Sequence, residues 1–304
     1  MLVHLVHQLV IFMTQKATNN VPTWYKDTEN KYHTILTDDI DSLLSCAILK
    51  QVMGWNVEEI FLLKKKVKGH EGQDLKGKTK NATQSEGIGV DLALHKGKCF
   101  DNHITRFSNI DYKNEESINP NLMENITRQN YTEKYAGSTV LLLWSLYDLQ
   151  KEGLTDEAMM MLLAIDSAFL GYYSSRYQKH VKHYLVDILD LPEFYHCIER
   201  HSIEEFQNIK DKYKLKEKIT LKKGHVITKI DIDAINDTLL WDTDTNLHIE
   251  LPQDKFYPDK YFIDVVKDIY GKRVKRYDEI IPQEPYCYAL TKTNLLNYSI
   301  EVKE

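Results

Sequence analysis

Two carboxylates two residues apart, Asp39 and Asp41, stand where an apolar run at 32–36 gives way to helical spacing at 42–53. In α/β folds ligands bind at the carboxyl ends of strands, so acids at such a turn face a crevice. Carboxylates this close repel each other unless a cation lies between them, which argues for a hard ion such as Mg²⁺ or Mn²⁺. Taken alone, Asp39 or Ser42 is an ordinary helix N-cap. Three further spots strengthen the signal. Asp91 follows Ile88-Gly89-Val90, Asp101-Asn102-His103 follows Cys99-Phe100, and Asp166 ends the apolar helical stretch from Met159. Each by itself reads as a turn residue; four in order, three of them at strand ends, point to one shared site.

This order resembles the DHH phosphoesterase superfamily. That group includes manganese-dependent inorganic pyrophosphatases, exopolyphosphatases, RecJ-type single-strand exonucleases, and oligoribonucleotide or cyclic-dinucleotide hydrolases. The match is best at Asp39-Ile40-Asp41-Ser42, similar to the first motif D-x-D-[GS]-x-x-[SA]. Asp91 matches the single Asp of the second motif, Asp101-Asn102-His103 stands at the name-giving Asp-His-His, and Asp166 matches the fourth. Ala136-Gly137-Ser138-Thr139 resembles the small-residue segment that opens the next helix. The likeness covers roughly residues 32–171.

The resemblance implies a two-metal Mn²⁺ or Mg²⁺ site. Asp91 would bridge the ions, with Asp39 on one and Asp41, Asp166 and Asn102 on the other. A water held between the ions would attack phosphorus in line. His103 would touch phosphate oxygens or assist the leaving group, Asp101 would orient a neighbour, and Arg106 would pair with phosphate. The implied substrate is a nucleotide, an oligonucleotide or another phosphate compound. Three positions depart from the pattern. Ile35 stands where many members carry a His four residues before the first Asp, and Thr37 stands where RecJ-like members carry an Asp. Asn102 replaces a His, and its carbonyl is a weaker Mn²⁺ ligand than imidazole. These departures leave a second reading, a catalytically inactive DHH-like domain that binds a nucleotide or a protein partner.

The elements that must position these residues are strands at 32–36, 57–63, 88–92 and 98–100, alternating with helices. Helical spacing also covers 138–151, 156–166, 178–189, 191–200 and 203–214. The expected class is α/β, a parallel sheet with flanking helices, plus a smaller C-terminal α/β region. The division reads as a phosphoesterase-like domain at 25–202, a linker helix at 203–215, and a substrate-binding region at 216–304. That last region carries a hairpin at 217–232, strands at 246–251 and 298–302, and a helix at 259–270. It has no Gly-Gly-Gly-His signature; Gly224-His225 comes nearest. Residues 64–87 read as a long exposed loop whose lysines (Lys64, Lys65, Lys66, Lys68, Lys76, Lys78 and Lys80) could hold a polyanion or simply stay solvated. Tyr172, Tyr173, Arg176 and Tyr177 could stack a base beside a phosphate site or pack a helix.

Composition sets the bounds. The 304 residues are 42% hydrophobic and 28% charged with a net charge of −6, so no global positive field draws the chain to nucleic acid or anionic membrane. Four scattered cysteines show neither metal-finger nor C-x-x-C spacing and are expected to be reduced. The apolar residues 1–13 make a poor signal peptide, Met13 is an alternative start, and a cytoplasmic location is expected.

Overall fold

The computed structural model describes residues 21–62, 72–149, 153–242 and 247–302. The readings of the N-terminal stretch, of Met13 and of Lys64–Lys68 fall outside them. The strands are β1 (Tyr32–Leu36), β2 (Val57–Leu62), β3 (Gly72–Thr79), β4 (Glu86–Val90), β5 (Cys99–Phe100), β6 (Ser117–Ile118), β7 (Thr220–Lys222), β8 (His225–Ile227), β9 (Phe256–Asp268), β10 (Cys287–Lys292) and β11 (Leu295–Glu301). The helices are α1 (Ile40–Met53), α2 (Pro120–Met123), α3 (Thr139–Leu146), α4 (Asp156–Ala164), α5 (Gln178–Lys182), α6 (Pro192–Arg200), α7 (Ile203–Lys212) and α8 (Ile232–Asp242).

Among the described residues nine strands join in one sheet, in the order β10-β11-β9-β3-β2-β1-β4-β5-β6. The expectation of an α/β class holds, but the sheet is mixed. Strands β2, β1, β4, β5 and β6 run parallel, whereas β3, β9, β11 and β10 continue it antiparallel from β2. The parallel half behaves as its sequence suggests: β1 is buried along most of its length, and β4 ends in Ile88 and Val90, both fully buried. The helices α1, α3 and α4 cover it through one large apolar cluster. α3 is buried at every position, as a helix apolar all round must be.

The antiparallel half is where the sequence reading needs correction. Residues 259–270 form no helix; all but the last two belong to the thirteen-residue strand β9 (Phe256–Asp268). Aromatic and β-branched residues (Tyr261, Phe262, Ile263, Val265, Val266) favour a pleated strand, and pairing with both β3 and β11 overrides the helical spacing. The supposed loop contains β3, which pairs with both β2 and β9; Lys76 and the partly exposed Lys78 reach the buried Glu59 at 2.6 and 3.0 Å. Lys80 lies over the Tyr257 ring, 5.0 Å from its centre. Gly77 makes the approach of β9 possible, since a Cβ there would sit 3.0 Å from the Tyr257 carbonyl. The described part of 246–251 is no strand either: the Asn236 side chain takes both the N–H and the C=O of Ile249. The hairpin at 217–232 is real but short, β7 with β8, and its last residues open α8.

The sheet curls so that β10 reaches the loops that follow β4 and β5, through bridges Leu94–Cys287 and Ile104–Leu290. The stretch 216–304 is thus tied to the first half by β3–β9 pairing and by these bridges. Inside the curl Phe262 packs on Phe61 and Tyr286, ring centres 5.2 and 4.7 Å away. Among the described residues the four cysteines are buried and form no disulfide, and no helix is long and apolar enough to cross a membrane.

Glu59 joins the two halves electrostatically. Burial opposes its ionisation, yet His33, Lys76 and Lys78 hold its pKa at about 2 against an ordinary 4.5. A carboxylate whose pKa falls on folding stabilises fully above its unfolded value and loses that contribution as the pH drops through the folded one. Denaturant titrations should therefore show stability declining from pH 4.5 towards pH 2, with Glu59→Gln less stable at neutral pH and flatter across that window. An unchanged acid limb in the variant would show that this cluster does not govern it.

Candidate metal centre

The parallel strands follow the order 2-1-4-5-6, so the chain leaves β1 towards β2 on one side and returns beside β1 as β4 on the other. The carboxyl ends of β1 and β4 flank this switch point, where open α/β sheets place their ligands. Asp39 and Asp41 follow β1, and Asp91 follows β4. Ser42 locks the two ends together: its hydroxyl accepts the Thr37 N–H and donates to the Val90 carbonyl, both at 2.8 Å. Asp91 holds φ at 53°, an unusual left-handed conformation for a residue with a side chain.

Asp39, Asp41, Asp91, Asp166 and His103 line one cleft of about 200 Å³, with Lys210, Lys216 and Lys218 on its rim. Asp39 also caps α1 by accepting the Ser42 N–H at 3.3 Å, so capping and cleft-lining coexist. Asp41 accepts the N–H groups of Thr139 and Val140, each at 2.9 Å, at the start of α3. The Thr139 hydroxyl donates to Asp91 at 3.2 Å. Asn102 spans the next gap, its amide nitrogen 3.2 Å from both Asp41 and Asp166.

Crowding shifts the acids. Burial, followed by the charges of Asp91, Asp166 and Asp39, pushes the Asp41 carboxyl well above its ordinary range. Burial and then Asp39 do the same to Asp91, and burial raises Asp166 against the pull of His103. For His103 burial opposes the charge, but Asp101 outweighs it and holds the imidazolium to about pH 10. The contact is close, 2.7 Å from Asp101 to Nδ1, with the His103 N–H on the other carboxylate oxygen. Asn119 fastens the same Asp101 from 2.9 Å. Asp101 thus orients His103 from behind and leaves the Nε2 edge free of it.

Other predicted positions serve the scaffold. Arg106 is buried and spent on the Asn109 carbonyl at 2.5 Å and on Asn125 at 3.5 Å; it does not line the cleft. Ile35 packs in the core with Phe61 and Leu92. Asp38 pairs with Lys218 at 3.1 Å, and its carbonyl takes the Ile219 N–H. Lys218 was not foreseen, nor were Asn119 and Asn121, which tie down the Asp101–His103 loop and the Asn102 carbonyl. The Asn119-Pro120-Asn121 helix start was the available signal.

The donor set suits a hard divalent cation on one side of the cleft. Asp91, Asp101 and His103 bring ligand atoms within 4.8 Å of one another, but Asp101 and the His103 imidazolium are engaged with each other, so Asp91 and its largest neighbouring charge, Asp39, are the donors left open to an ion. The other side is already filled: Asn102 presents its nitrogen to Asp41 and Asp166, and coordination needs the amide turned by half a rotation so that its oxygen faces them. Another group among the described residues, Asp156, Cys197 and His201, is less open, because Asp156 is paired with Arg200 and His201. No protein-family model, curated protein or solved structure matches this chain.

Lys218 holds Asp39 at 3.2 Å and so competes with any cation there. The ammonium is half exposed, which limits the competition to a few tenths of a kcal/mol up to about 1. Lys218→Gln should tighten Mn²⁺ binding roughly two- to fivefold by calorimetry at low salt; weaker binding would assign Lys218 a supporting role instead.

Proposed function

We propose that the protein is a divalent-cation-dependent phosphohydrolase, cleaving a phosphodiester or phosphoanhydride of a nucleotide, an oligonucleotide or a related phosphate compound. The observation that carries this reading is the convergence of Asp39, Asp41, Asp91, Asp166 and His103 on one cleft at the switch point of the sheet. Asp39 and Asp91 would hold the cation, Mg²⁺ or Mn²⁺, on the side of the cleft that Asn102 leaves open. When bound, such an ion polarises a phosphoryl oxygen and acidifies a water.

The chain's own groups supply the rest. His103, kept protonated by Asp101, donates from Nε2 to a phosphoryl or leaving oxygen. The Thr139 hydroxyl fixes the rotamer of Asp91. Lys210, Lys216 and Lys218 on the rim offset the charge of an incoming phosphate, with Lys218 exchanging its carboxylates for phosphate oxygens.

One observation favours the second reading, a binding domain without catalysis: the chain's own Asn102 amide and Lys218 ammonium already satisfy Asp41, Asp166 and Asp39. Calorimetry and a phosphodiester assay separate the two. Wild type should bind Mn²⁺ and hydrolyse an activated phosphodiester or pyrophosphate. Asp91→Asn should lose binding and reduce turnover more than about a hundredfold. Wild type without cation binding or turnover would establish the second reading.

A further inference from the structure

Beside the acidic cleft lies a cavity of about 250 Å³ that the proposed chemistry leaves unused. Its walls include Tyr131, Tyr135, Tyr177, Tyr184 and His180, and Ser167, the residue after Asp166. The Tyr135 and Tyr184 rings lie 5.3 Å apart at 54°, with Tyr184 carried on the π-helical turn His183–Ile188. Such turns recur at functional sites. Lys134 lines the same cavity; burial lowers the pKa of its ammonium while the charge of Asp166 raises it. From the cavity wall the chain runs through Gly137 and Ser138 to Thr139, which touches both Asp41 and Asp91. Gly137 is required on that path, since a Cβ would fall 2.4 Å from the Tyr135 phenol oxygen. Cavity and cleft are therefore adjacent along the chain at Asp166–Ser167, and residues 137–139 lead from the cavity wall to the contacts of Asp41 and Asp91.

We propose that this cavity is a nucleobase subsite, so that the substrate is a nucleotide whose ring stacks on the partly exposed Tyr131 and Tyr177, which the buried Tyr135 and Tyr184 back, while its phosphate reaches the acidic cleft. The inference rests on the phosphohydrolase reading for its phosphate half only. A cavity of about 250 Å³ has room for a single ring system. Aromatic faces bind every base through its π-surface. Burial lowers the pKa of His180, which leaves a neutral imidazole with one donor and one acceptor for a base edge. Lys134, on the Asp166 side, offers its charge to the phosphate between the two cavities.

The test uses the full chain and probes without phosphate. Adenosine and uridine should give saturation-transfer NMR signals and a saturable tyrosine fluorescence change, whereas ribose 5-phosphate should not compete at equal concentration. Tyr177→Ala should weaken nucleoside binding roughly tenfold and Tyr177→Phe should preserve it, with circular dichroism verifying the fold. Should the alanine variant fail to fold, the comparison of adenosine with ribose 5-phosphate on wild type still decides. Nucleoside binding without phosphohydrolysis keeps the subsite and removes the enzyme reading. Hydrolysis with no preference for nucleotides over ribose 5-phosphate keeps the enzyme and overturns the subsite.

Discussion

Like charges gathered in a buried place set the terms for everything around them. Asp39, Asp41, Asp91 and Asp166 each raise the free energy of ionising another, and burial adds to the cost. An uncompensated buried charge destabilises a fold by about 3–5 kcal/mol. Each neighbouring element answers that demand: α3 aims two N–H groups at Asp41, Asn102 bridges Asp41 and Asp166, and Lys218 covers Asp38 and Asp39. The imidazolium of His103 is itself held by Asp101 and Asn119. A fold that served stability alone would fill such a place with apolar side chains. A cleft that keeps its acids open to one side is what cation chemistry requires.

The C-terminal strands bear on the same place. Because β9 pairs with β3, and β10 with the loops after β4 and β5, the sheet curls over the end of β1. A second opening beside the acids is lined by Asp91 and His103 from one half and by residues of β10 and β11 from the other. The Lys218 contact and the Ile219–Asp38 hydrogen bond join the segment before β7 to the acidic turn. The curl confines the cleft on one flank and the tyrosine-lined cavity bounds it on another.

Legibility in the sequence followed the locality of the cause. β1, α1 and the acids after them rest on short-range signals: an apolar run, a cap and helical spacing. Asp39, Asp41, Asp91 and His103 are legible because turns at strand ends fix where such residues go, and Asp166 because it closes an apolar helical stretch. β9 and β3 were misread because their identity depends on pairing between residues nearly two hundred apart, and a polar strand such as β3 shows no apolar alternation. The lysines at 76 and 78 looked solvated for the same reason, since their partner Glu59 lies across the sheet. Lys218 has no signal in the sequence, and for Asn119 and Asn121 the helix start shows the turn but not the contacts with Asp101, His103 and Asn102 that the fold gives them. Arg106 shows the converse, a basic residue near the motif in sequence whose guanidinium is used by its own loop.

The central claim is that this acidic cleft is a divalent-cation site. The most direct measurement is anomalous diffraction at the manganese edge from crystals grown with Mn²⁺. A peak is expected within about 2.0–2.2 Å of carboxylate oxygens from Asp39 and Asp91, with Lys218 withdrawn from Asp39. A cleft without anomalous density, with Lys218 still on Asp39 and the Asn102 nitrogen still between Asp41 and Asp166, would contradict it.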